Sequence, residues 1–249
     1  MKKVLLSIYM LLAITSSFSQ KSDEIKTNSG ILTIQPIYHG AIVFTWNGKT
    51  IYVDPYGGAK AYEGVKKPDL ILITDIHPDH LNAETLDAIK ADQAIIVAPQ
   101  AVADQIPDKY KPLVRVMNIG SSSTIFDVAI TATPMYNLPE EPDSKHPKGR
   151  GNGYVLNFGN KLIYISGDTE DIPEMRALKN IDIAFVCMNL PYTMDINQAS
   201  SAVLEFKPKI VYPYHYRGKD GLSDVNGFKE LVNKGDKKIE VRLRNWYPF

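Results

Sequence analysis

From residue 31 onward the chain alternates between short apolar runs and turn residues. Ile31–Tyr38, Ala41–Trp46 and Thr50–Val53 are rich in β-branched and aromatic side chains, and His39-Gly40 and Asn47-Gly48 separate them. An Asn-Gly pair between apolar runs is a strong hairpin signal, because both residues tolerate positive φ. Asp69–Thr74 carries Leu-Ile-Leu-Ile without alternation, which predicts a strand covered on both faces. Asn82–Ala91 places Leu86 and Ile89 at helical spacing behind an Asn cap. Ala94–Ala98 predicts a further strand, and Pro99 opens a helix to Ile106. Strands follow over Val114–Met117, Thr124–Phe126 and Val128–Thr133.

The second half repeats the pattern. Gly153–Phe158 and Lys161–Ser166 predict a hairpin around Gly159-Asn160, ending in Gly167-Asp168 as the first hairpin ends in Asp54-Pro55. Helices over Asp171–Lys179, Asp195–Phe206 and Asp224–Val232 alternate with strands over Ile181–Met188, Lys209–Tyr214 and Ile239–Arg244. The halves read as a weak internal duplication. Strands apolar on both faces, with helices between them, predict an α/β fold of two face-to-face sheets with helices outside, a four-layer αββα sandwich. Between the halves, Asn137–Asn152 contains Pro139, Pro142, Pro147, Gly149 and Gly151 among mixed charges. It predicts a loop beyond the usual 12–15 residues, a length associated with function or mobility.

The N-terminus reads differently. Lys2 and Lys3 precede an apolar run, Val4–Ile14, which small and polar residues close at Gln20. This is the layout of a secretory signal peptide over residues 1–20, followed by one domain over 21–249. The apolar run is shorter than the roughly 20 residues of a membrane span. The expectation is a secreted or periplasmic protein with Lys21–Gly30 as a loose leader. Lys plus Arg and Asp plus Glu both number 28, and no block of like charge suggests a nucleic-acid or membrane surface. The single cysteine, Cys187, excludes an internal disulfide and sits in an apolar run, as a buried structural thiol would.

Potential metal ligands gather behind three predicted strands. Thr74-Asp75-Ile76-His77-Pro78-Asp79-His80 follows the strand at 69–73, Ser166-Gly167-Asp168-Thr169 follows the one ending at Ile165, and His215 stands in Tyr212-Pro213-Tyr214-His215-Tyr216. Four potential ligands within six positions are a strong concentration in a chain with five histidines, and strand ends are where loops converge on one edge.

The D-x-H-x-D-H run, the Gly-Asp-Thr and the late strand-end His resemble the signature of the metallo-β-lactamase superfamily, over nearly all of Ile31–Arg244. Val53-Asp54-Pro55, Pro191-Tyr192-Thr193-Met194 and Pro213-Tyr214-His215-Tyr216 resemble its ascorbate-6-phosphate lactonase-like and related uncharacterised branches. The resemblance implies two neighbouring metal positions. Asp79, His80, Asp168 and His215 match the second, with Asp168 bridging. Asp75 and His77 match the first, where the chain departs from the pattern twice: Asp75 stands in place of a His, and Asn137 stands where the third His is usual. An Asn carbonyl is a poor ligand for zinc. The first position is therefore weak, empty, taken by an oxygen-preferring ion such as Mn²⁺, or completed by His146 from the long loop.

The implied chemistry is that of a metal-dependent hydrolase with one or two Zn²⁺ per chain, acting on a small ester, lactone, amide or phosphoester. A bound dication acidifies water to a pKa of about 7 and polarises the scissile bond, with Asp79 both ligand and candidate proton acceptor. The alternative is a non-catalytic periplasmic metal-binding module of the same fold. Four further features have two readings each. Asp54 orients a ligand histidine from behind or simply starts a turn. His39 looks into the cleft or lies on a surface turn. Lys145, Lys148 and Arg150 recognise an anionic substrate or form a solvated loop face. Tyr212, Tyr214 and Tyr216 wall the cleft or pack in the core.

Overall fold

The computed structural model describes residues 22–248; the signal-peptide reading of residues 1–20 falls outside them. Two seven-stranded sheets face one another. The first runs in chain order from β1 (Asp23–Thr27) through β2 (Gly30–Pro36), β3 (Ile42–Trp46), β4 (Lys49–Val53), β5 (Leu70–Leu72) and β6 (Ile95–Ala98) to β7 (Val114–Val116). Short helices α1 (Gly58–Ala61), α2 (Ala83–Ala88) and α3 (Gln100–Gln105) lie between its later strands. The second sheet comprises β8 (Ser122–Ile125), β9 (Val128–Thr133), β10 (Gly153–Phe158), β11 (Lys161–Ile165), β12 (Ile183–Cys187) and β13 (Ile210–Tyr214). Helices α4 (Pro173–Arg176), α5 (Ile196–Phe206) and α6 (Val225–Gly235) accompany it. A two-residue ribbon, β14 (Arg217–Gly218) with β15 (Gly221–Leu222), follows β13, and β16 (Glu240–Val241) closes the sheet beside β13.

The duplication is visible in the pairing. In each sheet three successive antiparallel pairs give way to three parallel ones, at β4/β5 in the first and β11/β12 in the second. The central strands are buried on both faces, as their unbroken apolar runs require. Leu70 and Leu72 enter the core between the sheets, while Ile71 and Ile73 pack outward with Leu86, Ile89 and Val102 of the helical layer. Phe44 joins the sheets through Phe158 and Phe185, with ring centroids 5.5 and 5.9 Å apart. On the far side α5 and α6 bury Ala199, Val203, Phe206, Phe228 and Val232. The result is the αββα sandwich.

Local chemistry sets the boundaries. Asn47 and Gly48 both adopt positive φ, 48° and 76°, in the β3–β4 hairpin, the geometry of a tight primed turn. The Asp195 carboxylate caps α5 by accepting from the Asn197 and Gln198 amides, and the Gln198 side chain accepts from the Asp195 amide, a reciprocal capping box. The Asp171–Lys179 helix shrinks to α4, which Pro173 starts after an extended Ile172.

One expectation is corrected, and one pair of readings is decided. The loose leader over 21–30 is instead occupied by the edge strand β1, paired antiparallel with β2. Its alternation is polar and only Ile25 packs on the core. What secures it is Asp23, whose carboxylate accepts from Arg244 and from Tyr212 Oη, far along the chain. The tyrosines around His215 are core residues: Tyr212 stacks on Phe185 at 4.9 Å, and Tyr214 Oη accepts the Gly167 amide at 3.0 Å. Cys187 is buried and burial pushes its thiol up to about 12, as befits a structural thiol. No helix among the described residues is long and apolar enough to cross a membrane.

Candidate metal centre

The parallel strands of both sheets end at one edge, where Val53 is level with Leu72 and Cys187 with Tyr214. The loops leaving β4, β5, β11 and β13 carry Asp54, Asp75 to His80, Asp168 and His215 to this edge. Asp54 and His215 hold positive φ, 43° and 47°, a conformation that β-strand ends adopt only where surrounding contacts enforce it.

Two groups of ligating atoms form there, with Asp168 between them. In the first, Asp75 Oδ2 lies 2.8 Å from His77 Nδ1 and 4.0 Å from His146 Nε2, which is itself 3.3 Å from Asp168 Oδ2. In the second, His215 Nε2 lies 3.2 Å from Asp79 Oδ2 and 3.5 Å from Asp168 Oδ1, and His80 Nε2 is 3.5 Å from Asp168 Oδ2. In each of Asp75/His77/His146 and His80/Asp168/His215 the ligating atoms all fall within 4.8 Å of one another. His80 Nε2, His146 Nε2, His215 Nε2 and Asp168 Oδ1 are buried and make no hydrogen bond. Buried polar atoms without partners are rare and costly. Nitrogen and carboxylate donors converging in this way fit a borderline divalent cation such as zinc.

The donors are oriented from behind. His80 Nδ1 is 2.8 Å from Asp54 Oδ2, and Asp54 also accepts from the amide and hydroxyl of Thr74. Nδ1 therefore carries a proton, and Nε2 is the nitrogen that faces the centre, where it can give its lone pair to a metal. His146 is held in the same sense by Asn137, whose Oδ1 accepts from the His146 amide at 2.7 Å and from Nδ1 at 3.1 Å. The Asn137 Nδ2 donates to Tyr192 O and to Glu170 Oε1. Arg150 forks onto Asp75, with Nε 3.0 Å from Oδ1 and Nη2 2.8 Å from Oδ2.

Charge within the centre is strongly coupled. Burial works against ionised His80, yet the carboxylates of Asp54, Asp79 and Asp168 hold its imidazole well above the usual range. Burial likewise opposes the charge on Asp168, and His215 and His80 outweigh it and keep the carboxyl well below its usual value. Asp79 is lowered against burial by His80, His215 and His39. Asp75 is lowered against burial by His77, His80 and Arg150.

A profile for the β-lactamase superfamily domain matches residues 33–215. The chain belongs to the metallo-β-lactamase superfamily. It is 32% identical over 215 residues to a UPF0173 metal-dependent hydrolase of Pyrococcus abyssi, covering 82% of this chain and 93% of the relative. Among solved structures it resembles a metal-dependent hydrolase of Parabacteroides distasonis at 39% identity, with a TM-score of 0.80 over 90% of this chain and 98% of that one. It also resembles the metallo hydrolase Igni18 of Ignicoccus hospitalis, at 25% identity and a TM-score of 0.71 over 85% and 94% of the two chains. The protein is thus an enzyme of the metallo-β-lactamase superfamily, among its metal-dependent hydrolases.

Against the superfamily pattern, the structure brings Asp75, His77, Asp79, His80, Asp168 and His215 together and adds His146. Asn137 does not reach the centre as a ligand; its side chain is spent on His146 and Tyr192. His39, given two readings from sequence, is half-buried with Nε2 3.1 Å from Asp79 Oδ2, so the surface-turn reading is set aside. Burial pushes its imidazole down to about 4. Arg150 and Lys148 are occupied, by Asp75 and by Glu140 and Glu174. Sequence reasoning missed Asn189, whose Nδ2 lies 3.4 Å from Asp168 Oδ2, and Tyr247, whose hydroxyl lies 2.9 Å from His39 Nδ1. The aromatic pair Trp246-Tyr247 at a polar chain end was the available signal.

Proposed function

We propose that this protein is a zinc-dependent hydrolase with two metal positions, acting on a small substrate that carries an anionic group. The observation that carries the reading is the convergence of unpartnered buried donors on two adjacent points, with His146 supplying the nitrogen that Asn137 cannot. Asp75, His77, His146 and Asp168 would hold one ion, and Asp79, His80, Asp168 and His215 the other. Two imidazoles at the first position favour zinc there over manganese. When bound, such ions acidify a water molecule and polarise the scissile bond.

The chain's own residues do the rest. A cavity of about 140 Å³ opens on the centre, with His77, Asp79, His146 and Asp168 on its floor and Lys145, Asn189 and Tyr192 in its wall. Pockets that enclose whole drug-sized ligands run from roughly 300 to 1,000 Å³, so this one admits the scissile group and leaves the remainder at the rim. Lys145 is exposed, makes no ion pair among the described residues, and holds its Nζ 5.6 Å from the Tyr192 ring centroid. It is the one loop cation of the three free to take a carboxylate or phosphate. Asp79, 29% exposed at the cavity, is placed to accept the proton of attacking water. The non-catalytic alternative rests on two changes at the first position, Asp75 in place of a His and Asn137 in place of the third; His146, 4.0 Å from Asp75 and 3.3 Å from Asp168, supports the catalytic reading against it. On the reading of residues 1–20 as a cleaved leader, the activity belongs outside the cytoplasm; N-terminal sequencing of exported protein starting near Lys21 checks this.

The test is reconstitution of metal-free protein with Zn²⁺ and an assay of phosphoesters, lactones and esters with and without a second anionic group. Zinc-dependent turnover, with Lys145→Ala raising KM for the charged substrates at unchanged kcat, is expected. Turnover indifferent to zinc, or equal effects of Lys145→Ala on charged and neutral substrates, contradicts it.

A further inference from the structure

We propose that His39 and Tyr247 form a positioning pair that fixes the Asp79 carboxylate at the second metal position, an inference that rests on the two-metal reading above. Asp79 is the member of that group most in need of support. Its side chain is 29% exposed, against 4% for Asp168 and 1% for both His80 and His215. Its Oδ2 is met by His39 Nε2 at 3.1 Å.

The His39 backbone is clamped where this contact needs it. Its φ is 57°; its amide donates to Trp246 O at 3.0 Å, and its carbonyl accepts the His215 amide at 3.2 Å. The His39 and His215 ring centroids are 3.9 Å apart. The next residue must be glycine for this approach, since a Cβ at Gly40 would sit 2.9 Å from His215 Cδ2. A left-handed non-glycine residue held by three elements is strain of the kind that functional sites keep.

Hydrogen-bond direction then assigns the tautomer. The Arg217 amide reaches Tyr247 Oη at 2.8 Å, and an amide N–H can only donate, so this contact uses an oxygen lone pair. The phenolic proton is free to be donated to His39 Nδ1, 2.9 Å away. Neutral His39 then carries its proton on Nε2 and donates it to Asp79. The pair thus does for a ligand carboxylate what Asp54 does for His80: it selects one orientation of the donor. Tyr247 is itself fixed by the Arg217 guanidinium 4.0 Å over its ring. Trp246 and Tyr247, far along the chain from Asp79, are by this route part of the site. Direct ligation by His39, whose nitrogen lies within 4.8 Å of its Asp79 and His215 counterparts, is the competing role.

The test titrates metal-free wild type, His39→Ala, His39→Gln, Tyr247→Phe and the His39→Ala/Tyr247→Phe double variant with Zn²⁺ by calorimetry, and with Co²⁺ by absorption. We expect His39→Ala to weaken one of two sites about tenfold or more and His39→Gln, which keeps an N–H donor toward Asp79, to recover most of the loss. Tyr247→Phe should weaken the same site less and add nothing in the His39→Ala background, with the Co²⁺ bands unchanged throughout. Unaltered affinity in His39→Ala, an equal Tyr247→Phe effect in both backgrounds, or Co²⁺ bands that change in His39→Ala and are not restored by Gln would overturn the proposal. Should His39→Ala fail to fold, Tyr247→Phe and His39→Gln decide it, since both keep the bulk of the side chain. Wild type that binds no zinc overturns the two-metal reading itself; wild type that binds two ions beside indifferent variants overturns the pairing alone.

Discussion

The two halves of the centre are built on different plans. The second position takes every donor from a strand end or the turn directly behind it, and the supports of its His80, Asp54 and Thr74, come from neighbouring strands of one sheet. The first takes His146 from a loop, keeps it in place through Asn137, and neutralises Asp75 with Arg150 from that same loop. Their cations differ as well. The carboxylates of the second position are lowered by imidazoles alone, whereas Asp75 takes a forked guanidinium, Arg150, beside His77 and His80. A centre can therefore share one carboxylate, Asp168, and still have one half fixed by the fold and the other by a loop.

The largest expected effect comes from the residue the halves share. Asp168→Ala should lose both metals and lower turnover by at least about 10³-fold, the scale on which lost electrostatic stabilisation is felt. A metal count by elemental mass spectrometry alongside the assay checks this, and retention of either ion breaks the bridging role. Next come the supports. Asp54→Ala and Asn137→Ala should each weaken one position by about 10- to 100-fold and leave the other unchanged, as two-site zinc titrations would show. Equal losses at both positions would mean that the halves are not separately built.

A subtler contrast concerns acidity in the metal-free protein. The raised pKa of His80 contributes stability that is complete below its unfolded value of about 6.5 and is lost as pH rises through the folded value. The lowered carboxyls of Asp79 and Asp168 contribute above about 4 and lose their contribution as pH falls through theirs. Metal-free protein should therefore show a stability maximum between these limits and a decline on the alkaline side. That alkaline decline should be absent in His80→Ala and intact in Arg150→Met, as urea unfolding across pH will show. The smallest effect lies outside the centre: Asp23→Asn should cost about 1–2 kcal/mol at pH 7 by loosening β1 from Arg244, and the difference from wild type should shrink as pH falls through the depressed Asp23 value.

Much of the second position was legible in the sequence because its donors sit at fixed offsets behind apolar runs, where strand ends must converge. The hairpins at Asn47-Gly48 and Gly159 and the doubly covered strands were legible for the same local reasons. Of the first position, Asp75 and His77 were legible in the same run, and the third donor was not. No periodicity fixes a loop, so the contact between His146 and Asp75, 71 positions apart in the chain, could only be held open as one possibility. Asn137 looked like a defective ligand because sequence shows the residue type and not the direction of its side chain. β1 escaped notice since its order depends on Asp23 meeting Arg244 at the other end of the domain, and Tyr247 escaped it for a like reason.

The claim that His146 completes the first position is tested most directly by counting metals in zinc-reconstituted wild type, His146→Ala and Asn137→Ala. Two ions in wild type, one in His146→Ala with the His80/His215 group still loaded, and a weakened second ion in Asn137→Ala is the result expected here. Two tightly held ions in His146→Ala, with the second lost only in Asn137→Ala, would show that the asparagine and not the loop histidine completes the centre.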